Sequence, residues 1–434
     1  MPERIQTSES DAEVPPAAPP AEPTAPTAPT AAPAAKPRSV WSASLLAGYW
    51  VWFTGIVACT LVTAVAWLPL EDLESKGGPA PATVPQLLQA WHRWDTVWYV
   101  IIADSGYEYD ARATAFFPLY PMLIRWMNPV LPGGTFEAAL IVSVLACLAT
   151  LVLVHRLATE MLGPAHGHRT VYYLLAFPTG FYLIAAYNES LFIALSVGSL
   201  YCMRRGHWWL AGLLAGLAGA TRAAGVMLAL AFVYEYLRQR GDWRGGWRKS
   251  WRNSWRGIRL DALALGLVPS GLAAYMFYCY QTFGNPLHFL ESQKAWFREG
   301  FTPPWTAVSD VIALIGRTEP FFGPTNIRNI INLSVALGVL VILVAALVGP
   351  FRLGNDHTYL VLFAATIILM PLSNPLHSHY PLSGMWRYAL ECTVVFMVLA
   401  RIGRDRFFDR AYLATAMMLQ GAMIVTFVQD QFVA

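Results

Sequence analysis

Charge is what this sequence has least of. Of its 434 residues 13% are charged and 56% hydrophobic, with a mean hydropathy of +0.42; an ordinary soluble domain carries about 25% charged residues. Too little polar surface remains to coat a globule of 48.0 kDa, which makes a soluble enzyme a poor fit. A net charge of +3 is too small to imply a nucleic-acid partner. Cysteine is scarce as well. The five thiols (Cys59, Cys147, Cys202, Cys279, Cys392) lie singly in apolar stretches without a CxxC or metal spacing, so they read as small hydrophobes and not as a disulfide framework. The first forty residues lack the apolar core of a signal peptide. They hold ten prolines in an APT/PAA pattern, which predicts a disordered, polyproline-leaning tail over 1–40. Residues 41–434 then form an all-α, polytopic membrane domain.

A helix needs about 20 apolar residues to cross a bilayer, fewer where its ends sit in polar cavities. Candidate spans are roughly 43–68, 138–158, 169–186, 190–204, 207–221, 223–238, 259–281, 329–349, 357–372, 386–401 and 411–429, giving eleven, with ten to twelve allowed. A cytoplasmic N-terminus puts 20 of the 30 Lys and Arg residues inside, mostly in short loops, as the positive-inside rule asks. The loop 69–137 holds four basic and eight acidic residues and falls outside, whereas 238–259 holds eight basic residues and falls inside. This topology predicts a multi-pass protein of the cell membrane with its site at the exterior face.

Two exterior loops are long, 69–137 and 282–328. Irregular backbone at a membrane is tolerated only where protein or water covers it, so such loops mark a candidate site. Within the first, 84–104 and 114–128 are amphipathic or aromatic and read as helices along the outer leaflet. On the inner side, 239–258 carries Trp243, Trp247, Trp251 and Trp255, each followed by Arg. Four-residue spacing turns each Trp about 40° from the last, giving one aromatic stripe. An interfacial anchor explains it more simply than recognition of an anionic headgroup.

The densest chemistry follows the first span, in WHRWDTVWYVIIADSGYEYDARATAFFPLYP. Asp95 lies there among Trp91, Trp94, Trp98 and Tyr99. A partly desolvated carboxylate makes a competent general base; a helix cap or a solvated face is the plainer reading of such an Asp.

The segment resembles the PIG-V-like family, that is, GPI mannosyltransferase II and its bacterial relatives. The hallmark is an aromatic-Asp pair, then IA..GY, then AFFPLYP, found here as Trp94-Asp95, Ile102-Ala103, Gly106-Tyr107 and Ala115 to Pro121. FPTGFYLIAAYNESLFIALS (177–196) and LAGLAGATRAAGVML (214–228) match in the same order. The resemblance covers most of 40–400 and leaves out the tail and the Trp-Arg repeat. It implies a GT-C fold, a polyprenyl-phosphate-mannose donor lipid, and a catalytic carboxylate in the first exterior loop, which is Asp95. An Ala/Pro-rich, lysine-poor sequence points to a GC-rich, actinobacterial-like source. The acceptor would then be a lipid-linked or membrane-proximal glycan, not a GPI anchor.

One carboxylate suffices for that chemistry. A glycosidase must protonate a poor leaving group, hence its acid–base pair, whereas a sugar on a lipid phosphate already has a good one. The enzyme needs a base for the acceptor hydroxyl and positive charge for the departing phosphate. Going from the β-linked lipid sugar to the α-linked product implied by the resemblance takes a single inverting displacement.

Arg222 and Arg387 are the candidate phosphate ligands, at the expected depth of a lipid headgroup. Snorkelling is the alternative, or for Arg387 an i,i+4 pair with Glu391. Trp94, Glu189 and His379 are candidate substrate contacts; Glu189 alternatively ties its hairpin together. Asp104, Glu108 and Asp110 fit no metal template, and His377 with His379 lacks a third ligand, so neither a metal nor a cofactor is expected. Asn188 and Asn332 head glycosylation-like triplets too close to the membrane to count. The rival readings are a flippase for lipid-linked sugar, disfavoured by the lack of a repeat between halves, and the same fold using another polyprenyl-phosphate sugar.

Overall fold

A computed structural model describes residues 40–67, 83–241, 258–298 and 300–433. The proline-rich tail and the Trp-Arg repeat lie outside the described residues. Those described form helices and turns without a strand. In chain order the helices are α1 (Val40–Val65), α2 (Val84–Gln89), α3 (Asp95–Ser105), α4 (Leu119–Met127), α5 (Thr135–Leu162), α6 (Pro164–Ala176), α7 (Glu189–Arg204) and α8 (Trp208–Thr221). They continue with α9 (Leu228–Arg240), α10 (Ser270–Phe283), α11 (His288–Ser292), α12 (Pro304–Arg317), α13 (Pro324–Leu347), α14 (Thr358–Ser373), α15 (Met385–Glu391), α16 (Thr393–Ile402) and α17 (Arg406–Val428).

Five helical stretches are long and apolar enough to cross a membrane: α1, α5, α13, Asn355–Ser373 and α17; a sixth counts if the pair Leu260–Leu267 and Ser270–Phe283, bent by 43°, is one span. The chain is a multi-pass membrane protein. Helix lies at each of the eleven predicted spans, but the count of eleven is not reproduced at this length criterion. The shortfall has a local cause, because several predicted spans are interrupted. The 169–186 stretch ends as helix at Ala176, the turn Ala223–Met227 takes up the start of 223–238, and Cys392 divides α15 from α16 within 386–401.

The predicted helix over 84–104 is likewise two helices. Trp94 adopts a φ of 54°, a left-handed conformation rare outside glycine, and the chain restarts as α3 with Asp95 as its first residue. A helix N-terminus carries partial positive charge, which favours a carboxylate there. Glu189 opens α7 in the same way.

Polar side chains fix these starts to the bundle. Thr96 Oγ1 donates to the Ala186 carbonyl at 3.1 Å, and the Trp91 indole donates to Thr63 Oγ1 on α1 at 3.1 Å. Ser143 on α5 donates to the Tyr187 carbonyl at 2.8 Å, while Ser190 Oγ donates back to the Ser143 carbonyl at 3.1 Å. The aromatic motif does related work. Tyr120 is buried, donates to the Ala139 carbonyl at 3.0 Å and meets Tyr99 edge-on at 4.8 Å.

The break after α8 depends on Gly225, where a Cβ would collide with the backbone of Ala218 and Gly219. Overpacking of this kind costs about 1–3 kcal/mol. Gly225→Ala is therefore expected to lower the unfolding temperature of the detergent-solubilised protein. Gly266→Ala, at a position with open space around it, is expected to leave that temperature unchanged.

Candidate active site

Four of the residues singled out in the sequence meet at one place, from four separate elements. Arg387, on the first turn of α15, donates through Nη2 to Asp95 Oδ2 at 2.8 Å and through Nε to Glu189 Oε1 at 2.7 Å. Arg222 Nη1 lies 3.4 Å from the same Glu189 oxygen and hydrogen-bonds Glu391 Oε1. Charges thus alternate along Asp95, Arg387, Glu189, Arg222 and Glu391, three carboxylates to two guanidiniums.

Aromatic rings enclose the cations. The Arg387 guanidinium sits 5.0 Å from the centroids of both Tyr182 and Tyr187; that of Arg222 sits 5.8 Å from Phe192 and 5.4 Å from Tyr388. Such contacts add attraction where water is largely excluded. The Glu189 and Glu391 side chains are fully buried, and each leaves Oε2 without a hydrogen-bond partner. Asp95 is the most open member, its side chain 25% exposed. A bundle end so arranged can hold an anion on its arginines and present one reachable carboxylate beside it.

The alternative pairing of Arg387 with Glu391 gives way to longer-range contacts. Glu391 turns to Arg222, and Arg387 to Asp95 and Glu189. Glu391, Tyr182 and Tyr187 were not among the sequence candidates. The signals available were the i+4 spacing from Arg387, which suggested only a local pair, and two tyrosines inside the family-like 177–196 block.

The other candidates stand apart from the charge chain. Trp94 adjoins Asp95 in sequence, but its ring packs edge-on against Phe432 at 5.2 Å. His379 is exposed, and its carbonyl accepts from Asn329 Nδ2 at 3.0 Å; among the described residues no hydrogen bond or ion pair joins its side chain to Asp95 or the arginines. Asp104 accepts from Thr135 at 2.6 Å, and Asp110 pairs with Arg112 at 2.7 Å, which holds its carboxyl below the usual carboxylate range. Among the described residues no three His, Cys, Asp or Glu side chains gather as a metal site. Asn188 and Asn332 are buried.

Residues 53–314, more than half of the chain, match the family model described as mannosyltransferase (PIG-V). The chain belongs to that family. Among curated proteins, GPI alpha-1,6-mannosyltransferase 2 of Cricetulus griseus is 30% identical over 154 residues, 33% of this chain and 31% of that one. GPI mannosyltransferase 2 of Yarrowia lipolytica is 27% identical over 148 residues, 33% of this chain and 39% of that one. The match thus spans about a third of these relatives. Among solved structures, ArnT from Cupriavidus metallidurans bound to undecaprenyl phosphate is 14% identical, with a TM-score of 0.45 over 86% of this chain and 76% of that one. The Archaeoglobus fulgidus oligosaccharyltransferase is 11% identical, with a TM-score of 0.45 over 87% of this chain and 56% of that one. The mannosyltransferase match includes Asp95, Glu189 and Arg222 and stops before Arg387 and Glu391.

Removing one partner of a buried ion pair strands the other and typically costs about 3–5 kcal/mol. Glu189→Ala takes one carboxylate from each of two arginines but leaves Arg387 on Asp95 and Arg222 on Glu391, so it is expected to lower stability in denaturant unfolding by less than that range. Arg112→Ala, whose side chain is exposed in its pair with Asp110, is expected to leave the denaturant midpoint unchanged.

Proposed function

We propose that the protein transfers mannose from a polyprenyl-phosphate-mannose donor to a hydroxyl of a lipid-linked or membrane-proximal acceptor, at the exterior face of the cell membrane. The observation that carries this reading is the direct contact of Asp95, the aromatic-Asp carboxylate of a mannosyltransferase-family chain, with Arg387 inside a site holding a second arginine.

In this reading the acceptor oxygen attacks C1 of the sugar while Asp95 takes its proton. The bond from C1 to the phosphate oxygen breaks, and its electron pair leaves on the lipid phosphate. Arg222 and Arg387 neutralise that departing charge, as positioned guanidiniums do for phosphoryl oxygens. The anomeric centre inverts once, so a β-linked donor gives an α-linked product. The same carboxylate that acts as base is ion-paired to Arg387 beforehand. A phosphate that draws the Arg387 Nη2 to itself frees Asp95 Oδ2 to accept the proton of the acceptor hydroxyl.

A positioned general base contributes about 10²–10⁴-fold in rate. In membranes supplied with labelled polyprenyl-phosphate mannose, Asp95→Asn is expected to lower transfer by that factor. Transfer at the wild-type rate would remove Asp95 as the base. Lipid translocation without a glycosidic product would favour a flippase. The orientation has its own check: a cysteine at position 95 is expected to react with an impermeant reagent from outside the cell, and one within 243–255 is expected to be protected.

A further inference from the structure

The charge chain does not balance, and a donor makes the imbalance worse. Two guanidiniums face three carboxylates, so the empty site carries one net negative charge if all are ionised. A phosphodiester brings another. Like charges gathered in a poorly hydrated setting repel strongly, and such sites relieve the strain by protonating one member. Resting on the donor-phosphate reading above, we infer that Glu391 is the positioning residue of the Arg222 phosphate site and that it takes up one proton when the donor's phosphodiester binds.

The choice among the three carboxylates follows from their surroundings. Asp95 is the most solvated and must stay ionised to act as base. Glu189 touches both cations through one oxygen and heads α7, whose N-terminus favours its charge. Glu391 has the least support. It contacts Arg222 alone, its side chain is fully buried, its Oε2 lacks a hydrogen-bond partner, and it is the last residue of α15, where the helix end carries partial negative charge.

The groups around it are few. Glu189 faces it from α7, Arg222 from the break after α8, and Arg387 from its own helix, with the Cys392 thiol next in the chain. The helices α13 and α14 also pack on α15. On α13, Arg328 is directed to Tyr380 and Phe432, and α14 carries no Asp, Glu, Lys, Arg or His. When the phosphate draws on Arg222, the one direct ion pair of Glu391 weakens. Protonated, it can still accept a hydrogen bond from the guanidinium and hold it in place.

The sign follows from linkage. If the donor binds the form with Glu391 protonated, affinity is flat below the pKa of Glu391 in the empty protein. Above that pKa the dissociation constant rises about tenfold per pH unit. The test uses the full chain in detergent micelles and farnesyl phosphoryl-mannose, a phosphodiester whose single charge does not titrate near neutrality. Calorimetry in two buffers of different ionisation enthalpy, from about pH 5 to about pH 9, counts the protons taken up. Wild type is expected to gain close to one proton per donor in the upper part of that range. Glu391→Gln is expected to bind without proton uptake and with a flat pH profile, and Glu391→Asp to regain the uptake. Donor binding by wild type without proton uptake would overturn the inference whether or not the variants fold, as would full uptake in Glu391→Gln. No binding by wild type at any pH would instead overturn the donor assignment itself.

Discussion

Everything at the candidate site depends on the Glu189 carboxylate. It is fully buried, and a buried charge persists only if paired. Glu189 has two partners, Arg387 and Arg222, and through them it draws together segments about 200 residues apart in sequence. Three elements are thereby set against one another: the start of α7, the break after α8 and the first turn of α15, the first two also tied by Asn188 Nδ2 donating to the Thr221 carbonyl at 3.0 Å. Asp95 then attaches to an arginine already held in place by Glu189 and by the rings of Tyr182 and Tyr187.

The same constraint explains why so many helices are short. A guanidinium or carboxylate within an uninterrupted apolar helix would face hydrocarbon. At a helix start or break it meets other protein groups, and freed backbone is tolerated because protein covers it. Asp95 and Glu189 open helices, Arg222 occupies a break, and Glu391 immediately precedes one. The break at Cys392 divides the predicted span 386–401, and several other predicted spans are shorter than 18 residues, so fewer helices pass a length criterion than the hydropathy pattern suggests.

Much of this was legible in the sequence. Asp95 stood out because a carboxylate among tryptophans is rare and its neighbours carry a family motif. Arg222, Arg387 and Glu189 stood out because charge is scarce in apolar surroundings. What could not be read was which charge meets which. Glu391 lies four residues from Arg387, a spacing that predicts a local pair, and nothing local shows that Arg222, 169 residues away, competes for it. Histidine shows the reverse, that nearness in sequence does not bring a side chain into the charge chain. His379 lies near Arg387 in sequence, yet the turn between them leaves its side chain exposed. The break at Trp94 was hidden too, because a positive φ at tryptophan is imposed by tertiary contacts and leaves no trace in composition.

The order of exposure along the charge chain gives the proposed mechanism a direction. Glu189 and Glu391 are closed to solvent, the two arginines are mostly covered, and Asp95 is the most open. An anion approaching from outside can compete for the Arg387–Asp95 contact, while the contact to Glu189 stays behind the guanidinium. The arginine therefore need not travel to change partners. Its inner edge remains on Glu189, and only its outer donor is exchanged from carboxylate to phosphate. Exchange at one nitrogen, with the guanidinium resting against the adjoining rings of Tyr182 and Tyr187, requires little reorganisation, and fixed dipoles and charges are most effective in catalysis under that condition.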